Sequence, residues 1–277
     1  MGFYFDESGN LRLQEFERWP WLIHGFSTRS AGNLGASAGN PVTQMQENQR
    51  RFLQALGGKD MNLVTVRQIH SAVVHMAETS AGRAGDALLL RRPGVVVGVK
   101  TADCFPVLVV DPRLHAAAAI HAGWRGAAQR IVEKAVGEMR RAFHSEPADL
   151  WAAIGPGIQA CCFEVGPEVL EEFQSQFAEA HEFCCAEAPN PALDLIPRQT
   201  MTGKPHALMR RLDSQRGRVD LAEAVRRQLR AAGVPRGHIY DSALCTMCDR
   251  ERFYSHRRER EQAGRMMAVI GIKRSKS

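Results

Sequence analysis

Two imidazoles and one thiol define the chemistry this sequence could perform. His70 closes the strand-like run 64–70, and Cys104 follows Thr101-Ala102-Asp103 after the apolar run 95–100. His121 ends the run 116–120 and leads into Ala122-Gly123-Trp124-Arg125-Gly126. Small residues around the thiol and the second imidazole let backbone and ligand approach closely. Two imidazoles and a thiolate form a zinc donor set with one coordination position left open, as in catalytic rather than structural sites. The same residues support a second chemistry, with Cys104 attacking an acyl carbon and His121 serving as its base. Asp103 would then orient the imidazole or accept backbone amides. The separations match no compact zinc finger, so both readings stay open.

The surrounding pattern must position these groups. Strands are expected at 21–27, 62–66, 73–77, 85–90, 95–100, 107–111, 116–120, 150–154, 239–243, 253–255 and Met266–Ile272. A turn at Pro112 separates the runs that end at Asp111 and begin at Ala116. Helices are expected at 42–56, stopped by Gly57-Gly58, and at 127–143, with an apolar stripe of Ala128, Ile131, Val132, Ala135 and Met139. Two more are expected from Pro167 to about residue 179 and over 219–232. The Gly- and Ser-rich stretch 28–40 reads as a loop or ligand-binding turn, and 181–215 as an irregular excursion. Alternation of strands and helices, mixed with direct strand–turn–strand passages, gives an α/β class with mixed sheets. No repeat or composition break divides residues 1–277, so a single domain is expected.

Composition narrows the function. The chain has 277 residues, 44% hydrophobic and 24% charged, with net charge +6. That charge suits an anionic substrate such as phosphate or a generally cationic surface. The basic pairs Arg226-Arg227, Arg257-Arg258 and Lys273-Arg274 are scattered, which argues against nucleic acid. No apolar run approaches the ~18 residues of a membrane span, and MGFYFDESGN lacks the core of a signal peptide. Seven cysteines without an export signal point to reduced thiols in the cytoplasm. Cys245-x-x-Cys248 is a lone CxxC; Cys161-Cys162 and Cys184-Cys185 have the wrong spacing to complete it, so these read as structural or incidental thiols. The full deaminase signature, H-x-E followed by P-C-x-x-C, is absent. Multicopper oxidation uses H-x-H pairs to bridge neighbouring coppers, and the ten histidines here include no such pair.

Five blocks occur in order: QIHS at 68–71, KTADCFPVLVVD at 100–111, AIHAGWRG at 119–126, IGPGIQACCFEVG at 154–166, and CT, FYSHRR and GRMMAVI across 245–270. Together they resemble the YfiH family, also called the laccase-domain or polyphenol oxidase family, over nearly the whole chain. The resemblance implies a three- or four-layer α/β fold with helices flanking mixed sheets, and zinc on His70, Cys104 and His121. It implies phosphorolysis of adenosine, inosine and methylthioadenosine, with adenosine deamination alongside. Copper-dependent oxidation of polyphenols and editing of peptidoglycan precursors are older assignments for the family.

A phosphorylase needs an anion cradle and a way to protonate or stabilise the departing purine. Arg29, Arg125 and Arg257 are the candidates for phosphate, and Glu164 for proton transfer, beside Cys104 and His121. The Gly-rich loop here, SAGNLGASAGN, is shorter than the family pattern, and its Asn-Arg pair reads Asn48-Gln49 with Arg50 following. Asn40 and Asn48 are the expected remnants for substrate binding. Copper could replace zinc in the trio, since intrinsic affinity favours it. The expected partners are a purine nucleoside and phosphate, and the expected state is a monomer. Two alternatives carry distinct signatures: a metal-free Cys104–His121 amidase that edits peptidoglycan precursors, and a purine-binding regulatory protein without turnover.

Overall fold

The computed structural model describes residues 2–36, 39–80, 82–186 and 216–274. In chain order they form β1 (Phe3–Phe5), β2 (Leu11–Leu13), β3 (Leu22–Phe26), α1 (Val42–Ala55), β4 (Asn62–Val64), β5 (Val74–Met76) and β6 (Ala87–Leu90). Next come β7 (Val95–Thr101), β8 (Phe105–Asp111), β9 (Ala116–Ala122), α2 (Trp124–Ala128), α3 (Ile131–Phe143), β10 (Trp151–Ile154), β11 (Glu164–Val165) and α4 (Pro167–Gln176). The last elements are β12 (Cys184–Ala186), β13 (Gly217–Val219), α5 (Leu221–Ala231), β14 (Ile239–Asp241), α6 (His256–Glu259) and β15 (Met266–Ile272).

Two six-stranded mixed sheets run β1-β2-β3-β15-β7-β4 and β14-β10-β8-β9-β6-β5, with a small third sheet β11-β13-β12. Period-2 alternation decides what each sheet faces. Leu88 and Leu90 of β6, Leu108 and Val110 of β8, and Ala117 and Ala119 of β9 meet Val97, Val99, Ala268 and Ile270 of the first sheet. The intervening residues of the second sheet, among them Leu89, Val107, Val109, Ala118 and Ile120, pack on Ile131, Val132, Ala135 and Met139 of α3. On the far side of the first sheet, Ile23, Val96 and Val269 receive Phe52, Leu53 and Leu56 from α1 and its end. The result is four layers: α1, sheet, sheet, helices. Because β7, β8 and β9 are covered on both faces, they read as unbroken apolar runs.

The helix expected over 127–143 is broken. Arg130 takes a left-handed φ of 61° between α2 and α3. The buried side chain of Gln228, on α5, explains how the break is tolerated. Its Nε2 donates to the Ala127 carbonyl at 2.8 Å, and its Oε1 accepts from Val132 N–H at 3.1 Å. The side-chain amide thereby bridges the end of one helix and the start of the next. Residues 253–255 form no strand; Phe253 is buried and Ser255 instead caps α6, its Oγ accepting from Arg258 N–H at 3.3 Å. The strands β1 and β2, which no expectation covered, add an antiparallel pair to the edge of the first sheet. Most of the stretch 181–215 lies outside the described residues.

Candidate metal centre

The register of one hairpin brings two of the three candidate ligands together. In the β8–β9 pair, Phe105 faces Ala122 and Pro106 faces His121, so Cys104 arrives opposite Gly123. His70 comes from the loop between β4 and β5. The ligand atoms of His70, Cys104 and His121 all lie within 4.8 Å of one another. The two imidazole rings meet edge to face, 4.9 Å between centroids at 74°. His121 is 3% exposed, Cys104 is half-buried and His70 faces solvent. The cluster is therefore anchored inside and open on one side.

A fourth residue, Asp86, organises the other three. It is fully buried immediately before β6. Its carboxylate accepts from His121 Nδ1 at 2.9 Å, from Ser71 N–H and Oγ at 2.7 Å each, and from His70 N–H at 3.0 Å. Ile69 N–H adds a longer contact at 3.3 Å. Consecutive N–H groups converging on one anion hold His70 in its left-handed backbone, φ 58°. The bond to Nδ1 fixes the His121 tautomer and leaves Nε2 for the thiol or a metal. The sequence reading passed over Asp86. Its signal was an acid at the head of the apolar run Ala87–Leu90, where an unpaired charge is too costly to bury.

The role left open for Asp103 resolves away from the imidazole. Asp103 accepts from Thr246 Oγ1 at 2.7 Å and from Arg257 N–H at 2.6 Å. It sits at φ 88°, a strained position for a residue with a side chain, directly before Cys104.

Electrostatics couple the cluster. Burial disfavours the Cys104 thiolate, but the neighbouring imidazoles of His121 and His70 outweigh it and draw the thiol down to about 6. Burial likewise disfavours charged His121, yet the thiolate and Asp86 push it up to about 9. Asp86 is held well below the usual carboxylate range, desolvation being overcome by His121 and the Ser71 donors. Without a metal, the resting state near neutrality is a thiolate–imidazolium pair.

The other candidates scatter around this centre. Arg257 is tied to Asp103, and its Nη2 donates to the Glu164 carbonyl at 2.9 Å. Both residues line a cleft of about 340 Å³ with Gly166, Glu168 and Arg216. The Glu164 carboxylate pairs with Arg216 at 2.5 Å. Arg125 is exposed on α2, its guanidinium 4.4 Å above the Trp124 ring. Arg29 pairs with Glu259, stacks over Tyr254 and donates to the Phe253 carbonyl. Asn40 and Asn48 are buried and close the shortened loop: Asn40 donates to the carbonyls of Asn33 and Gly35, and Asn48 to that of Asn33. The cysteines kept apart by spacing are also corrected, because Cys161, Cys162, Cys245 and Cys248 gather into one group.

The profile of a family described as multi-copper polyphenol oxidoreductase laccase matches residues 23–273. The purine nucleoside phosphorylase YlmD of Geobacillus stearothermophilus is 33% identical over 90% of this chain and 89% of its own. Adenosine deaminase RL5, from an unknown prokaryotic organism, is 34% identical over 93% of each. The crystal structure of the hypothetical protein YfiH from Bacillus licheniformis superposes with a TM-score of 0.81 at 28% identity, covering 98% of this chain and 99% of that one.

Proposed function

We propose that this chain, which belongs to the multi-copper polyphenol oxidoreductase laccase family, is a metal-dependent purine nucleoside phosphorylase with adenosine deamination as a second activity. The observation that carries the reading is the convergence of His70, Cys104 and His121 on one point, with Asp86 locking the imidazole behind it. The donor set fits a metal: one thiolate and two imidazoles, one of them already polarised by a carboxylate. The space fits as well. A Cβ on Gly123 would lie 2.9 Å from His70 Cδ2 and 3.0 Å from Cys104 Sγ.

When bound, zinc, or copper in its place, supplies Lewis acidity at an open position. The chain's own residues do the rest. Cys104 and the Asp86-backed His121 would hold the metal from the buried side, while the solvent-facing side of His70 admits the substrate. Arg257 and Arg125 hold phosphate, and Arg29, through Phe253 and Glu259, positions the segment that carries Arg257. Glu164, released from Arg216 as the anion enters, moves the proton that the departing purine requires. Asn40 and Asn48 shape the loop that borders the nucleoside.

The direct test follows adenosine and inosine by chromatography with and without phosphate. Ribose 1-phosphate formed only when phosphate is present is the expected result. A protein that turns over neither nucleoside, with or without zinc, overturns the proposal.

Two further results follow from the geometry. Gly123→Ala has an ordinary backbone, φ −74° and ψ 165°, so the fold survives. The added methyl crowds two ligands, and zinc affinity falls about tenfold or more, read by chelator competition. The second result concerns pH. Metal binding must displace the His121 proton, whose pKa is about 9, while Cys104 is already a thiolate above about 6. This pair therefore releases one proton per metal between those values, and affinity rises about tenfold per pH unit. Below about 6 the Cys104 proton must leave too, so the dependence steepens; above about 9 it flattens. Titration calorimetry in buffers of different ionisation enthalpy counts the protons.

The proximity of Cys104 to His121 and His70, which draws its thiol down, favours a second reading in which Cys104 serves for acyl transfer. Iodoacetamide distinguishes the two. Rapid labelling of Cys104 in the protein as purified supports the nucleophile, and protection lifted only by a chelator supports the metal.

A further inference from the structure

Outside the His/Cys/His centre, the described residues hold one other group with metal-ligand chemistry, and it contains four sulfurs. Cys161 Sγ lies 3.6 Å from Cys162, 3.7 Å from Cys245 and 3.7 Å from Cys248, while Cys162 and Cys248 are 3.4 Å apart. All four sulfurs fall within 4.8 Å of one another. A tetrahedral zinc with Zn–S bonds of about 2.3 Å requires sulfur separations of about 3.8 Å. The gathering matches that demand without any pair having closed into a disulfide.

The backbone explains why the sulfurs meet. β10 and β14 pair in parallel, and the pairing resumes beyond them at the bridge between Gly157 and Cys245. Thr246 N–H donates to the Gly157 carbonyl at 3.1 Å. The two loops that leave these strands are thus zipped side by side, one carrying the adjacent cysteines and the other the CxxC.

We infer that Cys161, Cys162, Cys245 and Cys248 form a second metal centre, a closed four-thiolate site for zinc. Four sulfurs leave no open position, so the site is structural. It braces the loop that presses Thr246 onto Asp103, next to Cys104, and that offers the Thr246 and Met247 carbonyls to Arg258. Zinc in this centre couples the stiffness of the 245–258 segment to the placement of Cys104 and Arg257.

Zinc content and X-ray absorption test this on the full chain. The expected stoichiometry is two zinc per chain, averaging about 2.5 sulfur ligands each, four at one ion and one at the other. His70→Ala/His121→Ala is expected to keep one zinc with four sulfurs, and Cys248→Ser to lose one equivalent and melt at lower temperature. Cobalt loaded into the His70→Ala/His121→Ala protein gives the thiolate charge-transfer bands of a tetrahedral sulfur site, even if Cys248→Ser does not fold. A single zinc with one sulfur ligand overturns the inference, as does a Cys245–Cys248 disulfide in protein prepared with reductant. A single zinc with four sulfurs supports it and removes the His/Cys/His metal instead, so the two readings fail separately.

Discussion

Cys104→Ala is expected to lower kcat/KM for nucleoside phosphorolysis by about 10³-fold or more, because the interaction it removes is worth several kcal/mol to the transition state. The variant should fold. Cys104 is half-buried, alanine is smaller, and the His121–Asp86 pair beneath it stays intact at 2.9 Å. His121→Ala should cost as much activity and also stability. It leaves the fully buried Asp86 without its main partner, a loss of about 3–5 kcal/mol. Parallel measurement of metal content, turnover and melting separates the two effects. Wild-type activity in Cys104→Ala, with the fold confirmed, would remove the thiol from the mechanism and with it the proposed trio.

Asp86 governs the second large effect. Asp86→Ala strands the His121 Nδ1–H, the Ser71 hydroxyl and the N–H groups of His70 and Ser71, all of which now end on one carboxylate. A loss of about 3–5 kcal/mol follows, on the order of 10 °C in melting temperature for a chain of this size. Asp86→Asn is the informative partner. It preserves shape, but its amide can offer a donor where an acceptor is needed, so His121 loses its fixed tautomer. Zinc affinity should drop about 10–100-fold with a much smaller stability change. A chelator competition reads the first and calorimetry the second. Unchanged zinc affinity in Asp86→Asn would reduce Asp86 to a purely structural carboxylate.

The pairing of Cys104 with His121 was open to sequence reasoning because it is nearly local. Two apolar runs joined by a turn at Pro112 form a hairpin, and a hairpin sets the start of its first strand beside the end of its second. His70 is different. It reaches the cluster through a left-handed turn wrapped around the Asp86 carboxylate just ahead of β6, and no periodicity announces such a turn. The break in the helix over 127–143 was hidden for a related reason. Its apolar stripe is continuous, and only Gln228, about a hundred residues onward, stabilises the gap.

The arginines and asparagines show the limits of residue type. Arg29 carries the charge a phosphate site needs, yet Glu259 already neutralises it. Asn40 and Asn48 have amides suited to a ligand, yet both hold the backbone of the loop 33–35. A charge or an amide in the sequence states what a side chain could bind, and its neighbours decide what it does bind.

What the sequence determined by itself was whatever depends on order and pattern. Runs of Val, Ala and Ile had to become strands buried on both faces, and the hairpin that joins thiol to imidazole followed from two such runs and a turn. Tertiary structure decided which distant groups share a point in space. Asp86 beneath His121, and four cysteines drawn from two loops, meet only because strands far apart in the chain pair in register. Register reflects the packing of whole layers, and no short stretch of sequence carries that information.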